Sequence, residues 1–184
     1  MAQPDIRLSN GRLLLNEIKR NDWKAIHAYS SRKEVSTYQT WGPNTEEQTK
    51  AFVEKIIDDE LHQPRTRYVL AVRLKQTGLL IGAGEINLRD TSNGEISYIL
   101  HPDYWNQGIG TDVAHLLLTF GFQTFDLHRI YATCDPRNIG SAKVLEKIGM
   151  KQEGRMREVL KLKDGWRDSL LYSVLEQDFH KQSK

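Results

Sequence analysis

Tyr104-Trp105-Asn106-Gln107-Gly108-Ile109-Gly110-Thr111 is the stretch whose reading decides the fold of this chain. It follows a strand-like run, Gly94-Glu95-Ile96-Ser97-Tyr98-Ile99-Leu100, and opens a long apolar segment that starts at Val113. Two glycines two apart at a strand-to-helix junction let the backbone turn tightly and leave its N–H groups uncovered. In the first turn of a helix those amides have no intrahelical acceptor, and the positive end of the helix dipole lies beside them. The segment therefore reads either as a pyrophosphate cradle or as an ordinary glycine turn, and the glycines alone do not separate the two. Two better-known phosphate loops are excluded. A P-loop closes on Gly-Lys-Ser/Thr, where this chain has Gly110-Thr111-Asp112, and a dinucleotide fingerprint needs a third glycine where this chain has Val113.

The 184 residues suffice for one domain over 1–184 with a sizeable core, closing in a polar tail over 178–184. With 39% apolar residues, 27% charged residues and a net charge of +2, composition suits a globular protein and gives no reason to expect a nucleic-acid partner. No apolar run reaches the length of a membrane span, and residues 1–5 lack a signal-peptide pattern. Cys134 is the single cysteine and cannot close an internal disulfide, so the expected location is cytoplasmic. The histidines (His27, His62, His101, His115, His128 and His180) show no metal-ligand spacing, and no metal is expected.

Residues 12–18 read as a first strand. Asn21 or Asp22 can cap a short helix carrying Trp23, Ile26 and Tyr29 near one face. Residues 34–43 read as loop. Thr45-Glu46-Glu47-Gln48 has the capping-box pattern and opens a helix to about Leu61, stopped by Pro64. Strands follow over 68–74 and 79–88, and Asn93-Gly94 reads as a hairpin turn. The helix over 109–125 is apolar nearly all round, with one wet stripe of His115, Thr119, Gln123 and Asp126. Residues 129–134 read as a buried strand. Asn138 caps a helix that ends at Gly149, and Asp164-Gly165 turns a last hairpin.

Gln107-Gly108-Ile109-Gly110-Thr111 after a strand resembles the acetyl-CoA loop of the GNAT N-acetyltransferases. A second block, Asn138-Ile139-Gly140-Ser141-Ala142-Lys143-Val144-Leu145-Glu146-Lys147-Ile148-Gly149-Met150, is similar to that family's Asn-x-x-Ser…Lys-x-Gly-Phe segment, with Met150 for the usual aromatic. Tyr98-Ile99-Leu100-His101-Pro102-Asp103-Tyr104-Trp105 and Lys163-Asp164-Gly165-Trp166-Arg167-Asp168 resemble the ribosomal-protein-alanine acetyltransferases, the RimJ/RimL-like branch. The resemblance spans nearly the whole chain. It departs at Trp105, where many members have Gln or Arg, a change that this branch tolerates. It implies an α+β fold, a mixed seven-stranded sheet flanked by about four helices. Its parallel strands over 94–101 and 129–135 should splay apart to admit the pantetheine arm.

The resemblance further implies that acetyl-CoA is held by the loop Asn106, Gln107, Gly108, Ile109, Gly110 and Thr111, by Ile99 and Leu100 on the strand, and by Asn138 and Ser141. A backbone N–H, that of Leu100, would polarise the thioester carbonyl, a preorganised donor typically contributing about 3 kcal/mol. Ser141 would protonate the departing sulfur, or else is a first-turn serine bonded to backbone. Tyr98 and Tyr131 are further donors or packing residues. For the base, the branch points to a strand position occupied here by Leu160, with Glu158 two residues away; Glu95 and Glu85 are the other possibilities. Cys134 lacks an activating base in the sequence and reads as a small buried residue. Arg137, Lys143 and Lys147 would either attract phosphates or remain solvated. The acceptor pocket would draw on Tyr29, Tyr38, Trp41 and Trp166, and on the acids Glu34, Asp58, Asp59 and Glu60. The leading acceptor is a protein or peptide N-terminal α-amine. A polyamine, antibiotic amine or amino acid, and a non-catalytic acetyl-CoA-binding protein, remain open. The branch also makes a homodimer an expectation.

Overall fold

The computed structural model describes residues 6–162 and 164–182. The reading of residues 1–5, Lys163 in the last hairpin, and the final two residues of the tail lie outside the described residues. The chain runs β1 (Arg7–Ser9), β2 (Leu13–Glu17), α1 (Trp23–Ser30), α2 (Lys33–Ser36), α3 (Glu46–Leu61), β3 (Arg67–Leu74), β4 (Leu80–Leu88) and β5 (Asn93–Leu100). It continues through α4 (Ile109–Phe125), β6 (Arg129–Cys134), α5 (Ile139–Lys147), β7 (Lys151–Leu162), β8 (Gly165–Leu175) and α6 (Glu176–Gln182). The strands form one sheet in the order β1-β2-β3-β4-β5-β6-β8-β7. Among the described strands only β5 and β6 pair in parallel.

The sheet has eight strands rather than seven, because residues 7–9 add an edge strand to β2 that is too short to show a period in sequence. Helices number six rather than about four, two of them short: α2 lies inside the segment expected to be loop, and α6 replaces the expected frayed tail. Phe179 explains α6. It is 4% exposed, and its ring centroid lies 5.1 Å from that of Phe122 and 5.4 Å from that of His115. The turn expected at Asn93-Gly94 sits one step earlier. Asp90 Oδ1 accepts from the backbone N–H of Ser92 and Asn93 at 2.7 and 2.8 Å, and Asn93 and Gly94 already belong to β5. The expected capping box is present at α3, where Thr45 Oγ1 accepts from Gln48 N at 3.3 Å and Gln48 Oε1 accepts from Thr45 N at 2.9 Å.

Helices cover both faces of the sheet, so its central strands are apolar on both sides. Along β3, Tyr68, Leu70 and Val72 pack into the α4 core, and the intervening Val69 and Ala71 pack beneath α1 and α3. Gly121 lets α4 lie directly on the sheet: a Cβ there would come within 2.5 Å of Ile130 Cδ1. That close seat fixes where the first turn of α4 points.

Candidate active site

β5 and β6 pair only at Asn93–Arg129, Gly94–Ile130 and Glu95–Tyr131, and then separate. β4 follows β5 on to Leu100, and β8 follows β6 to Cys134, so each strand keeps its outer partner while the inner edges open. The expected splay is thus a wedge in a single sheet, one that leaves unpaired strand edges facing each other. The His101 amide donates to the Ile81 carbonyl on β4 at 2.8 Å. Alternation along the strand then turns the N–H groups of Tyr98 and Leu100 toward the wedge. The Leu100 carbonyl on that edge accepts from the indole Nε1 of Trp105 at 3.0 Å. Trp105 therefore satisfies a backbone acceptor next to the loop and leaves the neighbouring donor available.

At the mouth of the wedge, Asn106 (φ 59°) and Gly108 (φ 74°) are left-handed, and Gly108 caps α4 without a side-chain hydrogen bond. The first intrahelical bond runs from Asp112 N to Gly108 O at 3.2 Å. The amides of Ile109, Gly110 and Thr111 precede it and have no acceptor within the helix, which suits a diphosphate. Arg12 braces the loop from behind: its Nη1 donates to the Gln107 carbonyl at 2.9 Å and its Nε pairs with Asp112. The Gln107 side chain donates to the Asp103 carbonyl at 2.8 Å, so this residue shapes the turn through its side chain.

A cavity of about 950 Å³ runs through the wedge. Tyr98, Ser141 and Leu145 line it on the α4/α5 side, and Tyr29, Trp41 and Phe52 line it on the α1/α3 side. Asn138 Oδ1 accepts from Ser141 N at 3.1 Å, which caps α5 and holds Ser141 at the cavity wall. The Tyr98 phenol is pushed up to about 12 by burial, an effect partly opposed by the nearby Ser141 hydroxyl. A Cβ on Gly110 would stand 3.3 Å from the Tyr98 hydroxyl, so this phenol sits between the first turn of α4 and Ser141. Two hydroxyls, those of Tyr98 and Ser141, thus face the wedge. Open amides at one end, a donor edge in the middle and hydroxyls alongside fit the diphosphate, amide-rich arm and thioester of acetyl-CoA.

The expected carboxylates separate. Glu85 faces the cavity, held by Arg67 at 2.8 and 3.3 Å; Arg67 also binds Asp59 at 2.9 Å. One guanidinium between two carboxylates leaves this triad net negative. Glu95 instead faces an adjoining depression of about 360 Å³, where Arg89 and the Tyr131 hydroxyl (3.4 Å) hold it. Leu160 lines both hollows, whereas Glu158 is exposed with φ 48° and lines neither. Lys143 and Lys147 are exposed, and Trp166 is 61% exposed at the start of β8.

Two arginines meet at the opposite end: Arg137, which the sequence offered as a phosphate-attracting residue, and Arg167, which it did not single out. Asp135, buried just beyond β6, accepts from Arg137 Nε at 3.0 Å and Nη2 at 2.8 Å, and the Nε of Arg167 lies 3.9 Å from it. Two guanidiniums on one carboxylate make this end net positive. Nothing in the local pattern around Arg67 or Arg167 distinguishes them from surface arginines, although Arg167 lay within the branch-like segment. Burial and the neighbouring Asp135 push the Cys134 thiol up to about 11, so it stays protonated at neutral pH and is a poor nucleophile. Among the described residues no cluster of His, Cys, Asp and Glu has the makings of a metal site, and no helix is long and apolar enough to cross a membrane.

Residues 12–151 match the acetyltransferase (GNAT) domain model. The Bacillus subtilis (strain 168) protein named as uncharacterized N-acetyltransferase YnaD is 34% identical over 182 residues, covering 95% of this chain and 100% of that one. The crystal structure of a GNAT-family acetyltransferase from Bacillus anthracis superposes with a TM-score of 0.84 at 32% identity, over 94% of this chain and 99% of that one. Two further structures share the fold. The ribosomal-protein-S5-alanine acetyltransferase of Vibrio fischeri has a TM-score of 0.80 at 24% identity, over 95% of this chain and 99% of that one. The spermidine N-acetyltransferase of Vibrio cholerae, complexed with CoA and spermine, has a TM-score of 0.79 at 20% identity, over 93% and 99%.

Proposed function

The chain belongs to the GNAT family and is an acetyl-CoA-dependent N-acetyltransferase; from that premise we propose that its acceptor is the α-amine of a peptide or protein. The observation that carries this reading is the polarity of the cavity. The Glu85–Arg67–Asp59 triad is net negative and the Asp135–Arg137–Arg167 triad is net positive. A single amine finds its counter-charge at the first end. A polyamine, cationic along its length, meets repulsion at the second. The two further structures are named for one acceptor of each kind, so charge rather than fold supports the choice.

Acetyl-CoA supplies the acetyl group as an activated thioester. The Leu100 N–H polarises the thioester carbonyl, a contribution of about 3 kcal/mol for a preorganised donor; its direction toward the wedge supports this role. Tyr98 and Ser141 hold the proton needed by the departing sulfur. Glu85 draws the amine and takes up its proton, directly or through water. The acceptor's own acidity decides how much a base must supply. Neutralising an α-amine at pH 7 costs about 1 kcal/mol, against about 4.6 for a lysine. The same reading takes residues 1–184 as one domain, and it carries forward the homodimer and the cytoplasmic location, to be checked by light scattering and fractionation.

The test is thiol release from acetyl-CoA with three acceptors: free peptides, the same peptides Nα-blocked but containing lysine, and spermidine. Free peptides should dominate. Faster turnover of spermidine or of the blocked peptides would reject the α-amine assignment.

A further inference from the structure

We propose that Arg167 sets acceptor specificity by receiving a carboxylate close to the reacting amine, so that peptides with Asp or Glu as first or second residue are preferred. This rests on the α-amine reading above. Arg167 lies on β8 opposite Leu160, lines the cavity, and has a side chain only 10% exposed. Its Nη1 donates to the Tyr38 carbonyl, which holds the guanidinium in place, and its Nη2 donates to Ser169 Oγ at 3.2 Å. Its Nε is buried without a hydrogen-bond partner. A buried donor left open in an otherwise satisfied site calls for an acceptor, and a bound ligand is one way to supply it. Nε and Nη2 form one edge of the guanidinium fork, the edge that grips a carboxylate in bidentate fashion. The Ser169 bond on that edge lies at the long limit of the normal range and yields readily.

Charge agrees with this geometry. Asp135 has both oxygens hydrogen-bonded to Arg137, so a single carboxylate is shared between two guanidiniums and one positive charge is left over. An acceptor with its amine toward Glu85 and a carboxylate toward Arg167 matches both ends of the cavity. The cavity volume of about 950 Å³ must also admit the coenzyme arm, which leaves room for roughly one or two residues of acceptor.

The experiment uses the full-length protein with acetyl-CoA and C-terminally amidated tetrapeptides in matched pairs, Asp against Asn and Glu against Gln, at positions one and two. A dipeptide pair with free or amidated C terminus separates a chain-terminal carboxylate from a side-chain one. The acidic member of each tetrapeptide pair should have kcat/KM about ten- to a hundredfold higher, as expected for charge-assisted hydrogen bonds, with the difference mainly in KM. In Arg167→Gln the ratio should collapse toward one, and Arg167→Lys, with charge but no fork, should keep part of it. A wild-type ratio near one on peptides that turn over well overturns the role of Arg167 and leaves the α-amine assignment intact. A preference that survives in Arg167→Gln places the anion elsewhere and also overturns it. Failure to acetylate any free peptide removes both readings. The wild-type ratios decide even where a variant fails to fold.

Discussion

Replacing Gly108 with valine puts the diphosphate cradle to a quantitative test. Gly108 holds φ +74°, and a Cβ there would stand 3.2 Å from Arg12 Nη2, the movable end of a long side chain. Contact is therefore the smaller problem. The left-handed backbone costs an L residue about 1–2 kcal/mol, with a β-branched side chain at the upper end. For a chain of this size each kcal/mol lowers Tm by about 2–4 °C, so the melt should drop by about 2–8 °C. Binding should suffer separately. If the peptide rotates to relieve the strain, the amides that start α4 turn away from their common focus, and one lost charge-assisted hydrogen bond costs about 1.5–3 kcal/mol. Kd for CoA should then rise about ten- to a hundredfold. Titration calorimetry with CoA measures the second effect and thermal melting the first. A Kd changed by less than about threefold, alongside the expected fall in Tm, would show that these amides do not grip the coenzyme.

Ser141→Ala and Tyr98→Phe should each lower kcat by about 10²–10⁴, the usual worth of a positioned acid, and the double variant should fall by far less than the product, because both hydroxyls line one wall of the cavity and serve the same proton; independent effects in steady-state kinetics would dissolve the pair. Glu85→Gln should reduce kcat/KM about ten- to a hundredfold and move the alkaline rise of the rate upward, while Glu95→Gln should stay within about threefold, since Glu95 faces the adjoining depression; the reverse order in a pH–rate profile would exchange their roles. Burial works to raise the Asp135 carboxyl, but the hydrogen bonds and charge of Arg137, with Arg167, outweigh it and hold it below the usual aspartate range. A depressed carboxyl stabilises the fold above about pH 4 and loses that contribution as pH falls through its folded value. Tm should accordingly decline more steeply below about pH 4 in the wild type than in Asp135→Asn, with the variant already lower at pH 6; parallel curves would contradict the pairing.

Local signals in the chain accounted for most of the elements. Thr45 with Gln48 announced α3, the glycine at 149 ended the α5 segment, and the apolar faces of residues 109–125 marked α4 as a buried helix. Misreadings fell where the deciding contact is distant. The strand at residues 7–9 exists because β2 offers an edge, and the terminal helix exists because Phe179 finds Phe122. Asn93-Gly94 has the composition of a turn, yet Asp90 supplies the turn with its own side chain. Among site residues, Asn138 and Ser141 were legible because a cap and a first-turn serine are local features. Arg67, Arg167 and the Tyr98–Ser141 contact were not, because each joins segments far apart in sequence.

The sequence by itself determined where a glycine turn meets a buried helix, and with it the family and the coenzyme, since backbone conformation and hydrophobic period are set by neighbouring residues. The tertiary structure alone decided which carboxylate faces the wedge and which charges close its two ends. Those depend on strand register and on side chains brought together from opposite ends of the chain, and electrostatics acts through space rather than along the sequence.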